Sequence, residues 1–141
     1  MGLEINSTQF KPEDYQAFRQ RLEENLSALY ELGRQENFGK GPASLGAELE
    51  IYIVDATGSP LQANQEILED AADPDLTLEL NRYNLEYNLS PYRLDASPFH
   101  ATEQEILAKL TYLRGVADQR GGRIVPIGIL PTLRQSDFGT H

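Results

Sequence analysis

The first third of the chain carries hydrophobic residues at helical spacing. They follow one another at three- and four-residue steps, which predicts one apolar stripe along an α-helix. The positions are Tyr15, Phe18, Leu22, Leu26 and Leu29. Pro12 suits the first turn of a helix and Gly33 suits its end, so the helix is predicted to lie between them.

The pattern changes to a period of two after a glycine-rich loop. From Leu45 to Asp55, apolar residues alternate with a second set that contains two glutamates. That second set is Gly46, Glu48, Glu50 and Tyr52. Alternation of this kind predicts a β-strand with one face toward a core.

A second alternating stretch runs from Leu76 to Leu89. Thr77, Glu79 and Asn81 lie opposite the leucines in its first half, and Asn84, Glu86 and Asn88 lie opposite apolar residues in its second half. The apolar residues occupy even-numbered positions up to Leu80 and odd-numbered positions from Tyr83 onward. A turn or a bulge at Asn81 and Arg82 would let both halves send their apolar sides to one core, and the pattern leaves the choice open.

Helical signals separate and follow these strands. Asn64 is predicted to cap a short helix that ends near Ala72, and Thr102 with Glu105 predicts a capping box at the start of a helix reaching Gln119. The apolar run from Arg123 to Leu130 predicts a further strand, placed at a sheet edge or bulge by its internal proline. The order of elements predicts an α+β fold, with a largely antiparallel sheet and helices packed on one face.

Charge narrows the range of partners. The chain has 141 residues, with 12 Lys+Arg against 22 Asp+Glu and a net charge of -10. This charge opposes binding to nucleic acid or to an anionic membrane surface, and no apolar run approaches the ~20 residues that span a bilayer. There is no cysteine, which removes thiolate chemistry from consideration and fits a cytoplasmic setting.

The chemistry-bearing feature is the set of glutamates on the predicted strands. Glu48, Glu50, Glu79 and Glu86 would share the non-core face of one sheet, where only Arg82 supplies nearby positive charge. Three interpretations are open: a solvated acidic face, a site for hard divalent cations such as Mg²⁺, or a glycosidase-type carboxylate pair. Crowded carboxylates repel one another, and bound cations would relieve that repulsion and admit a nucleotide.

The two acidic stretches also carry a resemblance. The segment Gly46-Ala47-Glu48-Leu49-Glu50 resembles the G-x-E-x-E strand of glutamate–cysteine ligases and related bacterial carboxylate–amine ligases. Glu79 and Glu86, seven residues apart and followed by Asn88-Leu89-Ser90-Pro91, are similar to the next acidic strand region of that family. The helix and the strand ending at Pro131 extend the similarity, which covers roughly residues 45–133.

The resemblance implies a glutamine-synthetase-like fold that binds ATP, Mg²⁺ and glutamate in an open funnel. It implies that the four glutamates hold Mg²⁺ while ATP phosphorylates the glutamate side chain and an amine such as cysteine then displaces phosphate. Arg82 and Asn88 are the candidate nucleotide contacts, although Arg82 has the alternative of pairing with a glutamate. An acidic module that binds cations or a partner without catalysis is the rival hypothesis.

Two departures from the family's pattern bear on activity. No histidine lies near Pro126 to Thr132, where related ligases often carry a metal ligand, and family members are considerably longer. We therefore expect an N-terminal piece of a ligase that holds half of a site. Residues 1–44 are predicted to form a helix and loop, and residues 45–141 an incomplete catalytic domain. Homo-oligomerisation is left open.

Overall fold

The structure, a computed structural model, describes residue 7 and residues 9–138. The outer ends of the two predicted regions, residues 1–6 and 139–141, lie outside the described residues. The chain divides into two compact units, with the boundary between Pro42 and Ala43. Within the described residues, no helix is long and apolar enough to cross a membrane.

The first unit contains helix α1, Pro12–Gly33. Its predicted bounds are confirmed. Acidic residues occupy the first turn, where the helix dipole favours them, and the Lys11 backbone N–H donates to Asp14 Oδ2 at 2.8 Å. No residue of α1 is buried.

The second unit is α+β, and all of its strand pairs are antiparallel. In chain order its elements are β1 (Ser44–Leu45), β2 (Glu48–Val54), α2 (Asn64–Ala71), β3 (Leu76–Leu78), β4 (Asn84–Asn88), β5 (Tyr92–Arg93), α3 (Pro98–Asp118), β6 (Arg123–Val125) and a final 3-10 turn (Gln135–Phe138). A four-stranded sheet has the order β3-β4-β2-β6, and β1 pairs with β5 in a separate two-stranded sheet. The predicted fold class is confirmed.

The strand predicted from Leu45 to Asp55 is divided in two. Leu45 ends β1, and β2 begins at Glu48 in the other sheet. Between them, the Ala47 carbonyl accepts a hydrogen bond from the Leu89 backbone N–H at 2.9 Å. The alternation of side chains continues across the break, which is why the sequence pattern does not reveal it.

A turn, rather than a bulge, joins β3 to β4. The Asn84 backbone N–H donates to the Asn81 carbonyl at 3.0 Å. The predicted cap role of Asn64 is wrong, because Asn64 lies inside α2 and its side-chain Nδ2 donates to the carbonyls of Asn81 and Asn84 at 3.1 and 3.2 Å. Leu80 lies in this turn and is 90% exposed, so the apolar face of β3 stops short of it.

The core lies between one face of the four-stranded sheet and helices α2 and α3. Alternate residues of β2 and β4 fill it, together with the apolar stripes of the two helices. The largest fully buried members are Ile51, Ile53, Ile67, Leu85, Tyr87 and Leu113. Complete burial of such side chains contributes about 1.5–3 kcal/mol each.

Helix α3 begins earlier than the capping signal predicts. It starts at Pro98, with Ser97 before it in the left-handed region at φ 53°, so Thr102 lies inside the helix and the predicted capping box is wrong. Glu105 instead accepts hydrogen bonds from the Ser90 backbone N–H at 3.1 Å and from Ser90 Oγ at 2.8 Å. The pair ties the end of β4 to α3.

The last strand is shorter than predicted. It ends at Val125, directly before Pro126, because proline has no N–H to donate to a strand ladder. Strand β6 lies at the sheet edge, as the proline predicted. Beyond it Ile129 is 79% exposed, whereas Leu130 is buried.

Candidate functional site

Strand register brings the acidic residues of β2 and β4 to one face of the sheet. In the antiparallel pair, Glu50 lies opposite Glu86 and Glu48 lies opposite Asn88. On the outer side, Thr77 of β3 lies opposite Glu86. Like charges directly opposite one another destabilise a strand pair by up to about 1 kcal/mol, so this arrangement costs the fold stability.

Glu86 is the centre of this acidic face, which we define as Glu48, Glu50, Glu79 and Glu86. Its side chain is only 6% exposed. Burial raises the pKa of the Glu86 carboxyl, and the neighbouring Glu79 carboxyl and the charge of Glu48 raise it further. The structure therefore brings Glu48 and Glu79 close enough to Glu86 to affect its carboxyl.

The acidic face has no internal counter-charge among the residues that the structure describes. The ion pairs of the described residues join Arg93 to Asp95, His100 to Glu103, Lys109 to Asp73 and Asp75, and Arg120 to Asp70. None of them involves a member of the acidic face. Arg82, predicted as a local cation, is exposed in the turn that precedes β4.

Polar neighbours continue the acidic face toward the end of β4. Asn88 Nδ2 donates to Thr77 Oγ1 at 3.2 Å, and Thr77 Oγ1 donates to the Glu86 carbonyl at 3.4 Å. These bonds orient the Asn88 amide beside Glu48. Thr77 was given no role by sequence reasoning, although its strand parity already placed it on this face.

At the other end of β4, the face becomes buried. Asn84 is 5% exposed, and its side-chain oxygen Oδ1 is buried without a hydrogen-bond partner. Tyr52, directly opposite on β2, stacks on Tyr83 with ring centroids 6.2 Å apart. Asn84, two residues before Glu86 on β4, therefore leaves one buried hydrogen-bond acceptor without a partner.

A second carboxylate cluster on the same unit has a different composition. This paired cluster consists of Asp73, Asp75 and Lys109. Lys109 Nζ lies 3.1 Å from Asp73 Oδ2 and 2.9 Å from Asp75 Oδ2, and 4.8 Å from the centre of the Tyr87 ring. Burial alone would raise the pKa of Asp73, but the Asp75 N–H and the Lys109 ammonium lower it overall.

One protein-family model matches most of the chain. The model of glutamate-cysteine ligase family 2 (GCS2) matches residues 44–141. The chain belongs to this family. The resemblance inferred from the two acidic stretches is confirmed, and membership indicates a function of the glutamate–cysteine ligase type. No curated protein and no solved structure matched the chain.

In this member of the ligase family, an open pocket lies at the Glu48 end of the acidic face. Its volume is about 280 Å³. It is lined by Gly46, Ala47, Glu48, Asn88 and Leu89. The pocket thus joins the G-x-E-x-E segment to the end of β4, which are the two stretches that carried the family resemblance.

The carboxylate oxygens of the acidic face are ligands of the type that a hard cation prefers. Carboxylate and amide oxygens are the ligands preferred by Mg²⁺, which usually keeps several waters and shares ligands with substrate phosphates. Over residue 7 and residues 9–138, no three Asp, Glu or His side chains converge closely enough to hold a metal ion by themselves. The four carboxylates of the acidic face therefore do not form a complete metal cage by themselves.

The candidate nucleotide contacts lie at opposite ends of β4. Asn88 is the last residue of the strand and borders the pocket, whereas Arg82 lies in the turn before its first residue. The four residue steps of β4, from Asn84 to Asn88, span about 13 Å.

Proposed function

We propose that the acidic face binds Mg²⁺ and ATP for the ligation of a glutamate side-chain carboxylate to an amine. The carrying observation is the buried Glu86 carboxyl, which has acidic neighbours and no ion-pair partner within the described part of the chain. A purely structural face would be more stable with mixed charges across its strands. Family membership supports the same reaction class.

The candidate residues divide into metal ligands and nucleotide contacts. Glu48, Glu50, Glu79 and Glu86 hold Mg²⁺, and Asn88 and Arg82 contact the nucleotide. The bound ion supplies neutralisation of phosphate charge, which this acidic surface cannot provide by itself. Phosphoryl transfer depends mainly on positioning and charge neutralisation, so the proposal needs no protein nucleophile.

The reaction proceeds in two balanced steps. A carboxylate oxygen of the glutamate substrate attacks the γ-phosphorus of ATP, and the bond to ADP breaks, which gives an acyl-phosphate and ADP. The amine nitrogen then attacks the acyl carbon, phosphate leaves, and the nitrogen loses a proton as the amide forms. Cysteine is the acceptor that the family description names. A glutamine-synthetase-like funnel is the fold we propose for the site.

The test is Mg²⁺-dependent ATP binding by the 141-residue chain, measured by titration calorimetry. Glu48→Ala and Glu86→Ala should each weaken Mg²⁺-dependent binding by about tenfold or more, because each removes a charged metal ligand. Glu69→Ala is the matched control, since Glu69 is an exposed glutamate on α2 outside the acidic face. It should leave binding unchanged.

Other outcomes separate the rival functions. Binding of ATP that is equal with and without Mg²⁺, or that survives both alanine substitutions, would overturn the proposal. Retained Mg²⁺ binding with no nucleotide effect would instead favour a cation-binding module without catalysis. Loss of binding in the Glu69 variant as well would point to a general effect of net charge.

A further inference from the structure

Three successive backbone N–H groups at the end of β4 donate to three different parts of the second unit. The N–H groups of Asn88 and Leu89 donate to the carbonyls of Asp75 and Ala47, each at 2.9 Å. The next N–H, that of Ser90, donates to a carboxylate on α3. Because Asn88 and Leu89 line the pocket, these bonds determine the path of the chain along one of its walls.

The third acceptor differs from the other two because it is a side chain. The Ser90 backbone N–H lies 3.2 Å from Oε1 and 3.1 Å from Oε2 of Glu105, and Ser90 Oγ donates to Glu105 Oε1 at 2.8 Å. A carboxylate accepts hydrogen bonds that are roughly twice as strong as those of a neutral acceptor. Pro91 follows without an N–H of its own, so Ser90 is the last residue before β5 that a backbone N–H can anchor.

A second residue of α3 holds the neighbouring segment of the chain. Lys109 follows Glu105 by one helical turn, so the two side chains lie on the same face of α3. Lys109 Nζ lies 2.9 Å from Asp75 Oδ2, and the Asp75 carbonyl accepts the Asn88 backbone N–H. One face of α3 thus holds Ser90 directly and Asn88 through Asp75.

From these contacts we infer that Glu105 is a positioning residue of the pocket. It is not among the residues that line the pocket, and it acts through Ser90, which keeps Asn88 and Leu89 in place beside Glu48 before a ligand binds. A wall that is fixed in advance increases affinity, because binding then removes less conformational entropy. The inference rests on the proposed function for the identity of the ligand, which is ATP with Mg²⁺.

The first test compares substitutions at position 105 by calorimetric titration with ATP in saturating Mg²⁺. Glu105→Ala removes the carboxylate that holds Ser90 and should raise the Kd by about tenfold. Glu105→Gln keeps an oxygen that accepts the Ser90 N–H, so its Kd should stay within about threefold of the original value. Glu103→Ala is the matched control and should leave the Kd unchanged, since Glu103 is an exposed glutamate whose ion-pair partner, His100, lies on the same helix.

Two comparisons separate positioning from simpler effects. Each alanine variant removes one negative charge from an acidic chain, so long-range electrostatics alone would strengthen binding of the anionic ATP complex and not weaken it. Ile67→Val loosens the buried core and should lower the urea midpoint without changing the Kd. A Kd for Glu105→Ala that equals the Kd of Glu103→Ala or Ile67→Val would overturn the inference.

A double-mutant cycle tests whether Glu105 acts through Ser90. Ser90→Ala removes the bond from Oγ and should raise the Kd by about threefold. In the Glu105→Ala background the same substitution should add no further loss, because the partner of Ser90 is already absent. Additive losses would show that the two residues act independently, which contradicts the inference.

A measurement without ligand keeps failure of this inference distinct from failure of the proposed function. In amide NMR spectra, Glu105→Ala should shift the side-chain amide signals of Asn88 and increase hydrogen exchange at Asn88 and Leu89 by about tenfold, whereas Ile124 of β6 should not change. If the original chain binds no ATP but these signals respond, the proposed function fails and the positioning role of Glu105 stands. Unchanged signals at Asn88 and Leu89 overturn the positioning role, whether or not ATP binds.

Discussion

Two carboxylate clusters in the second unit differ in how the negative charge of their buried acids is balanced. In the paired cluster, Asp73 and Asp75 share the ammonium of Lys109, whose side chain is 15% exposed. In the acidic face, Glu86 is still more buried, and the ion pairs of the described residues give it no cationic partner. The pKa of Asp73 is lowered, whereas the pKa of Glu86 is raised.

The ion-paired acids of the first cluster stabilise the fold, whereas the crowded acids of the second cluster destabilise it. An ion pair contained within the chain explains the first cluster without any ligand. The second cluster lacks such an explanation within the described residues, and a bound cation would relieve its repulsion. This contrast is the physical reason for assigning function to the acidic face and not to every group of acids in an acidic protein.

The largest expected effect comes from removing the lysine. Lys109→Met keeps the hydrocarbon stem over the Tyr87 ring but leaves two partly buried aspartates without a partner. We expect the free energy of unfolding to fall by about 2–4 kcal/mol in urea titrations. A loss close to zero would show that the aspartates are well solvated, and the contrast between the clusters would disappear.

The acidic face should respond in the opposite direction. Glu86→Gln removes a buried negative charge while keeping the side-chain volume, so we expect a gain of about 1 kcal/mol in unfolding free energy in a metal-free buffer. Added Mg²⁺ should stabilise the original chain more than the variant. Glu69→Gln is the control and should change neither quantity, whereas a loss of stability in the Glu86 variant would mean that its carboxylate has a partner.

The pH dependence should differ in sign between the clusters. Because folding raises the pKa of Glu86, its favourable contribution is complete below the ordinary value of 4.5 and is lost as pH rises through the raised value. Because folding lowers the pKa of Asp73, its contribution is present above 3.8 and is lost as pH falls. Urea midpoints of Glu86→Gln and Asp73→Asn, each compared with the original chain from pH 3 to 8, measure the two trends.

The smallest effect on stability is expected at an ion pair that is as short as those of the paired cluster but exposed to solvent. Arg93 and Asp95 lie 2.6 Å apart, but their side chains are 59% and 65% exposed. Solvent screens such a pair, so Arg93→Met should leave the urea midpoint unchanged within error. A clear drop would indicate that distance, and not burial, decides the value of ion pairs in this chain.

The predictions were correct for features that follow directly from the spacing of apolar residues along the chain. The two-residue repeat placed Glu48, Glu50 and Glu86 on one face, and the strand register confirms that placement. Helix α1 was likewise correct in both bounds, because proline and glycine mark its ends. These features depend on local backbone geometry, which the residue pattern reports directly.

The sequence could not reveal contacts made by side chains across long separations. Glu105 resembled a cap residue, but its partner is Ser90, fifteen positions earlier. Asn64 resembled another cap and instead holds the turn before β4. In both cases a local hydrogen bond competes with a tertiary one of similar strength, and only the folded backbone decides between them.

The central position of β2 has a consequence for synthesis. This apolar strand is completed at Val54, yet its neighbour β6 ends at Val125, 71 residues later. At ribosomal rates of about 5–20 residues per second, one edge of β2 stays unpaired for roughly 4–14 s until β6 has been synthesised. Glu48 and Glu50 lie within that strand, and charges so placed oppose association between nascent chains. Two of the glutamates of the acidic face, Glu48 and Glu50, therefore also oppose aggregation while the sheet is incomplete.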